Sequence, residues 1–186
     1  MKKRCAWPGN SELMISYHDT EWGVPLHEDK KLFEFLVLDA FQAGLSWQIV
    51  LKKREGFRKA FAKFDFNKVA KFSEKDIKKL IENPEIIRNR QKISATIINA
   101  QKFLEIQKEF GSFEKYIWQF TAHKTIKNNW KSDKQMPAKS KESDAMSLDL
   151  KKRGFKFVGS TICYAFMQAS GMVNDHTIDC YRRRKL

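Results

Sequence analysis

With 186 residues, 42% of them hydrophobic, the chain can bury a core, and we expect one domain over residues 1–186 or two small helical lobes that share a core. Lysine and arginine number 36 against 22 acidic residues, and the net charge of +14 makes nucleic acid the first candidate partner. A merely lysine-rich surface would give the same charge. No run of eighteen apolar residues and no signal-peptide pattern occurs, so we expect neither a membrane span nor a secretory leader.

Three cysteines are present, and this odd number does not favour a disulfide framework. Cys163 lies in the apolar stretch T-I-C-Y-A-F-M, which is typical of a buried and unreactive thiol. We therefore expect a reducing compartment, that is, a cytoplasmic protein.

Helical periodicity extends through most of the chain, and no strand pair is predicted. The segment 29–43 has an acidic candidate cap, dense apolar content and a stop at Gly44, which is typical of a central buried helix. Ser46 is a candidate cap for the next helix, which is predicted to end at Gly56. Further helices are predicted over 56–64, from the capping box at Ser73 to Asn83, from about Ile86 to Phe110, and from Ser112 through Phe120.

Residues 121–142 lack periodicity and are predicted to form an exposed loop or crossing. After them, Ser140 or Ser143 can cap a helix that is interrupted by G-F-K-F-V-G and resumes as far as Gly171. This pattern over about 143–171 predicts a helix-hairpin-helix motif. An ordinary helical hairpin with solvated charges is the alternative.

Glycines and cations surround the predicted hairpin turn. Glycines at its two edges allow a phosphate to approach the backbone amides closely, and nearby cations add a grip that does not depend on base sequence. The predicted DNA-binding residues of this motif are Lys151, Lys152, Arg153, Gly154 and Gly159.

Four potential metal ligands lie at opposite ends of the chain: Cys5, His18, His176 and Cys180. Two thiolates and two imidazoles suit tetrahedral Zn²⁺, and four protein ligands leave no open position for a substrate. The pattern therefore predicts one structural zinc ion that joins the terminal segments. Two unpaired thiols and two surface histidines are the alternative.

Aromatic residues cluster in the first third of the sequence around one acid, Asp39, in the apolar helix. An acid in that position lies either on a narrow polar stripe or in a buried pocket. Aromatic rings with one carboxylate suit a flat, cationic heterocycle. The candidate substrate-binding rings are Trp7, Tyr17, Trp22 and Trp47.

Several motifs in their order resemble one family, that of 3-methyladenine DNA glycosylase I. They are Y-H-D-T-E-W-G-V-P, Q-A-G-L-S-W, L-K-K-R-E, L-K-K-R-G-F-K-F-V-G and V-N-D-H-x-x-x-C, and they span nearly all of the chain. The resemblance implies an all-α helix-hairpin-helix fold with a zinc ion tying the termini, and a bacterial enzyme of the nucleoid that excises 3-methyladenine from double-stranded alkylated DNA. A monomer is expected.

Roles for individual residues follow from this resemblance. It implies that Asp39 is the catalytic carboxylate and that the Gly44–Leu45 turn lies near the gap left by the flipped nucleotide. Well-known members have glutamate in place of Asp39, so the carboxylate here is one methylene shorter. Asp175 follows the hairpin, where related glycosylases carry an essential aspartate, but we predict a supporting role near the metal ligands for it.

The lesion's chemistry predicts hydrolysis by water without strand cleavage. Methylation at N3 makes the base cationic and weakens its bond to deoxyribose, so a strong general acid is not required. Two alternatives are a non-catalytic, zinc-containing nucleic-acid-binding module and a glycosylase with a different lesion specificity.

Overall fold

The computed structural model describes residues 2–186, and within them the chain forms ten α-helices. The prediction of an all-α fold is confirmed. The helices are α1 (Glu12–Thr20), α2 (Asp29–Gln42), α3 (Trp47–Lys52), α4 (Arg54–Ala60), α5 (Phe66–Val69), α6 (Glu74–Glu82), α7 (Arg90–Phe110), α8 (Phe113–Trp118), α9 (Lys141–Lys152) and α10 (Ser160–Ala169). None of the helices described is both long enough and apolar enough to cross a membrane.

One short strand pair occurs where the sequence predicts none. Strand β1 (Ile126–Lys127) pairs in parallel with β2 (Val173–Asn174), and Ile126 is opposite Val173. Each strand has two residues, which is too short to produce the alternating pattern by which a strand is recognised in a sequence. The pairing fixes the predicted loop of residues 121–142 against the chain that follows α10.

Helix α2 is the centre of the core. Every residue from Leu32 to Phe41 is buried, and the helix packs against α7, α10 and α3. Two of these buried residues, Glu34 and Asp39, are acids. Helix α2 therefore resembles a fully buried core helix that carries two acidic side chains into the interior.

Side-chain caps begin the helices where the sequence predicts them. The Ser46 hydroxyl accepts a hydrogen bond from the amide of Ile49 at the start of α3, and Ser73 forms a complete capping box with Asp76. Ser140, one of the two candidate serines, caps α9. Helix α7 begins at Arg90, four residues later than predicted, because Asn89 caps its first turn.

Two predicted boundary signals have other functions in the structure. Gly56 does not end a helix but lies inside α4, where a Cβ would come within 2.3 Å of the Glu85 carbonyl oxygen. The glycine therefore permits close packing rather than a turn. Asp29 does not cap its own helix; its carboxylate accepts hydrogen bonds from the amides of Phe113 and Glu114 and caps α8.

Candidate active site: an aromatic cavity with a buried carboxyl group

A cavity of about 250 Å³ opens between α1, α2, α3 and α10. All five residues predicted for the base pocket line it. Five further residues that the sequence did not single out also line it. The complete lining is Trp7, Tyr17, Trp22, Asp39, Gln42, Trp47, Asp133, Met136, Ala165 and Gln168.

The aromatic side chains come from separate segments and meet at angles. Trp7 packs its ring edge-on against Trp22 with 4.9 Å between centroids, and Tyr17 lies 5.3 Å from Trp47 in a tilted arrangement. Angled contacts between rings leave ring faces free for a ligand, whereas parallel stacks would cover them. The indole nitrogens of Trp7 and Trp47 are buried and have no hydrogen-bond partner.

Asp39 is the buried acid of this cavity. Asp39 is 2% exposed, and no residue that the structure describes offers its Oδ2 atom a hydrogen bond. Burial raises the pKa of Asp39 well above its ordinary value, because the charged form loses its hydration. Burial, followed by the charges of Asp39 and Glu21, likewise raises the pKa of Tyr17. An unpartnered acid of this kind costs stability unless a ligand supplies the partner.

Of the five cavity residues missed by the sequence analysis, Gln42 lies at the end of α2 and the other four come from two distant segments. Asp133 and Met136 lie in the predicted loop, near a 3₁₀ turn over Asp133–Gln135. Ala165 and Gln168 lie on α10. Helical spacing places those two near each other on one face of α10, but no sequence signal brings residues 133–136 to the pocket.

Asp175 supports the cavity from behind. Its Oδ1 accepts hydrogen bonds from Asn128 and Trp130, and its Oδ2 accepts them from Tyr164 and Gln168, each at 2.7 Å. Four donors occupy this buried carboxylate, which is 1% exposed and does not line the cavity. Asp175 therefore holds Gln168 in the cavity wall, and its four partners do not include any of the metal ligands that it was predicted to support.

Comparison with known proteins agrees with this geometry. The sequence profile of the methyladenine glycosylase family matches residues 7–183. This chain belongs to the methyladenine glycosylase family. The DNA-3-methyladenine glycosylase 1 of Escherichia coli K12 is 48% identical over 178 residues, which cover 96% of this chain and 95% of that protein. The predicted family membership is confirmed.

Two solved structures have the same fold. A crystal structure of 3-methyladenine DNA glycosylase I has a TM-score of 0.94 and 46% identity, and the match covers 96% of this chain and 98% of the other. The 3-methyladenine DNA glycosylase I of Staphylococcus aureus, whose structure describes 3-methyladenine recognition, has a TM-score of 0.94 and 34% identity. That match covers 97% of this chain and 96% of the other.

The four predicted metal ligands of this family member are buried rather than on the surface. Ligand atoms of Cys5, His18 and Cys180 all lie within 4.8 Å of one another, and the Cys180 sulfur is 3.5 Å from His18 Nε2. The ring of His176 packs edge-on against His18 with 4.9 Å between centroids, and its Nε2 atom has no hydrogen-bond partner. The terminal segments thus bring three of the four predicted ligands within 4.8 Å of one another, and His176 packs beside them against His18.

Both imidazoles are oriented from their other nitrogen atom. His18 Nδ1 lies 2.8 Å from Asp19 Oδ1, and Arg4 holds that carboxylate with hydrogen bonds at 2.7–2.9 Å. His176 Nδ1 lies 3.0 Å from the side-chain oxygen of Asn174. Partners on Nδ1 leave Nε2 available as a ligand atom, which is the arrangement found around metal-bound histidines.

Protonation states in the cluster also fit a metal. Burial lowers the pKa of His176 to about 4, so its imidazole is neutral at pH 7. The hydrogen bond between Cys5 and Cys180 lowers the pKa of Cys180 and raises the pKa of Cys5, so Cys180 is the thiolate of the pair and Cys5 would lose its proton on binding a metal. A thiolate and a neutral imidazole are the forms that ligate zinc.

The helix-hairpin-helix is formed by α9 and α10. Lys151 and Lys152 are exposed at the end of α9. Arg153 differs from them, because its guanidinium pairs with Glu109 and Asp149 and lies 4.9 Å from the Tyr116 ring centroid. Its charge is already neutralised within the protein, so the two lysines are the better candidates for phosphate contact.

Backbone exposure is consistent with DNA approach at two turns. Space is open around the Cα atom of Gly159 at the start of α10, whereas the neighbouring Gly154 faces Lys102. Space is also open at Gly44, and Leu45 beside it is 39% exposed. An exposed apolar side chain beside the cavity mouth suits insertion into a base stack.

Proposed function

We propose that this protein is a monofunctional glycosylase that excises 3-methyladenine from alkylated double-stranded DNA. The observation that carries the proposal is the unpartnered carboxyl group of Asp39 inside an aromatic cavity. A protein that only bound DNA would gain nothing from a buried acid without a partner, because such a group costs stability. The names of the relatives, which are DNA-3-methyladenine glycosylases, support the same reaction.

The cavity suits a cationic purine in both shape and charge. Angled faces of Trp7, Tyr17 and Trp47 can enclose a flat ring, and a ring cation is attracted to their π systems. A bound cation also opposes the effect of burial on Asp39 and favours its charged form. A neutral purine gains neither contribution, so the site selects the methylated base.

The reaction follows from the charge of the lesion. Water attacks C1′ of the deoxyribose, the C1′–N9 bond breaks, its electron pair neutralises the purine, and the proton lost by water is released. Asp39 stabilises the positive charge that spreads from the base to the sugar as the bond lengthens. The products are neutral 3-methyladenine and an intact strand with an abasic site.

DNA is gripped at two places beside the cavity. Lys151 and Lys152, with the backbone at Gly159, contact phosphates, while Leu45 fills the gap left by the extruded base. Each of these contacts is independent of base sequence, as a repair enzyme that surveys all DNA requires. A single copy carries all of these groups, so we propose that the protein acts as a monomer.

We also propose that Cys5, His18, His176 and Cys180 hold one structural zinc ion. The unpartnered Nε2 of His176 beside two thiols and a second imidazole supports this assignment. Four protein ligands would close the coordination shell, so the metal would join the chain ends and take no part in base release.

Release of free base from methylated DNA tests the function. We expect wild type to release 3-methyladenine and to leave uracil and 7,8-dihydro-8-oxoguanine in place. Asp39→Asn should lower the single-turnover rate about 100-fold, while Asp39→Glu retains activity. No release by wild type would favour a binding module, release of another base would favour a different lesion specificity, and strand nicking without heat would reveal a lyase activity.

Salt dependence tests the phosphate contacts. The double variant Lys151→Gln/Lys152→Gln should weaken binding to undamaged DNA and reduce the slope of log K against log salt by about 1 to 2. Lys78→Gln/Lys79→Gln on α6 is the control with the same change of charge at exposed positions. Equal effects of the two pairs would show that net charge, and not the hairpin, determines binding.

Metal analysis tests the zinc site. Protein purified without chelator should contain about one zinc ion per chain, and Cys180→Ser should lose it and unfold at a lower temperature. Cys163→Ser is the matched control, since Cys163 is also buried but lies outside the cluster. Zinc-free wild type would remove the metal from the proposal and leave the glycosylase activity unaffected.

A further inference from the structure

Asp133 gives the cavity a second carboxylate. It reaches the cavity from the segment between β1 and α9, at the start of the 3₁₀ turn Asp133–Gln135. Its Oδ2 accepts a hydrogen bond of 2.6 Å from the backbone amide of Trp7. Its Oδ1 is buried and, like Oδ2 of Asp39, has no hydrogen-bond partner.

The contact with Trp7 does not require a charged side chain. An asparagine would accept the same hydrogen bond from the amide through its carbonyl oxygen and would have the same shape. The carboxylate instead brings a negative charge and a second oxygen that no protein group satisfies. An unsatisfied buried acceptor lowers stability, so a purely structural tether does not explain it.

Two acids in one aromatic cavity point to a cationic ligand. Among residues 2–186, no lysine or arginine lines the cavity, so neither acid is neutralised there by a described residue of the cavity wall. Asp39 belongs to α2 and Asp133 to the segment between β1 and α9, so the two carboxylates belong to different parts of the wall.

We propose that Asp133 determines specificity: it favours a positively charged purine over a neutral one and couples this choice to the position of Trp7. The proposal rests on the proposed function. A cation near Asp133 supplies the partner that its Oδ1 lacks, whereas a neutral base does not. The bond from the Trp7 amide keeps the carboxylate in place and holds the Trp7 ring against the cavity.

Two probes of nearly equal shape separate charge recognition from tethering. The first is 3,9-dimethyladeninium, a fixed cation in which a methyl group replaces the sugar, and the second is the neutral 9-methyladenine. Binding is followed through quenching of tryptophan fluorescence in wild type, Asp133→Asn, Asp133→Ala and the control Glu105→Gln. Glu105 is an exposed acid of α7 paired with Lys102, so its variant matches the change in net charge.

We expect Asp133→Asn to bind the cation about tenfold more weakly and the neutral purine within about twofold of wild type. Asp133→Ala should lose the same preference and also bind both probes more weakly, because the Trp7 amide loses its acceptor. Glu105→Gln should match wild type with both probes.

Two results would overturn the proposal. An equal loss for both probes in Asp133→Asn would show that Asp133 is only a tether, and unchanged binding would show that it does not take part in recognition. Release of 3-methyladenine from methylated DNA by the same wild-type preparation distinguishes these results from failure of the proposed function. If wild type releases the base while Asp133→Asn keeps its preference for the cation, only the role of Asp133 is wrong.

Discussion

Helix α2 carries two buried acids five residues apart, and their surroundings differ completely. Glu34 is 5% exposed and accepts hydrogen bonds from Arg54 and Arg58 at 2.7–2.9 Å. Asp39 is 2% exposed and has no charged partner. Burial acts to raise the pKa of both, but at Glu34 the two arginines outweigh it and the pKa falls below its ordinary value.

This difference separates a structural charge from a functional one. At Glu34 the protein itself supplies the compensating charges, so the ion pairs hold α2 against α4. At Asp39 the compensation is left to a ligand. Burial alone does not identify a functional acid. Burial together with a missing partner and contact with a cavity is a much better criterion.

Of the variants that test this difference, the one that removes Arg54, a partner of Glu34, should lower the free energy of unfolding most. Arg54→Met leaves the buried acid with only the more exposed Arg58 and Lys31, and it also removes the pair with Glu21. We expect a loss of about 3–5 kcal/mol in the free energy of unfolding, measured in urea. Arg58→Met is the comparison variant and should cost less, and a loss below about 1 kcal/mol for Arg54→Met would contradict the structural role.

Lys92 is a third buried group that can carry a charge, and its removal should lower the free energy of unfolding by an intermediate amount. Lys92 donates from Nζ to the carbonyl oxygens of Phe41 and Ala43, and so satisfies the end of α2 just before Gly44. Lys92→Met should lower the free energy of unfolding by about 1–3 kcal/mol, because buried carbonyl groups lose their donor. It should also slow base release, because the turn that presents Leu45 loses its support.

Lys68→Met is the control for this variant, since Lys68 is exposed and pairs only with Asp65. We expect its stability to stay within about 0.5 kcal/mol of wild type. Similar losses for both variants would show that the carbonyl contacts of Lys92 do not stabilise the turn.

Replacing the carboxyl group of Asp39 should change the free energy of unfolding least. At pH 7 it should raise this free energy, whereas Arg54→Met and Lys92→Met lower it. Because folding raises the pKa of Asp39, its contribution to stability is full below the unfolded pKa of about 3.9 and is lost as the pH rises through the folded value. Asp39→Asn does not titrate, so at pH 7 it should be more stable than wild type by about 1 kcal/mol. Below about pH 4 the two should converge; a constant difference across this range would mean that Asp39 does not titrate on unfolding.

Local signals made much of the fold predictable. Serine caps at Ser46, Ser73 and Ser140 act through hydrogen bonds within a few residues, so the sequence contains the whole interaction. The prediction that a helix ends at Gly56 was wrong. Glycine is required there because the carbonyl group of Glu85, 29 residues away in sequence, packs against it. Contacts of that kind leave no local pattern.

The candidate site shows the same limit. Motifs near each other in sequence led to Trp7, Tyr17, Trp22, Asp39 and Trp47, and the resemblance to a family gave their roles. Asp133 lies in a segment without periodicity, and only the tertiary fold brings it to Trp7. Arg153 matched the pattern of a phosphate-binding cation, but the structure pairs it with Glu109 and Asp149. The pair with Asp149 has the (i, i+4) spacing of a helical ion pair and could have been read from the sequence, whereas only the tertiary fold brings Glu109 near.

The turn at Gly171 has a consequence for the order in which the protein is made. A Cβ at Gly171 would lie 2.3 Å from the backbone of Val24 and Pro25, so chain segments almost 150 residues apart in sequence are in backbone contact there. Contacts of such long range form late in folding, after the cost of closing a large loop. While a ribosome is still synthesising α10, the nascent chain already contains Trp7, Asp39 and Trp47 but lacks the wall that completes the cavity. A nascent chain that stops before α10 should therefore lack excision activity, because Ala165 and Gln168 of its cavity wall are missing.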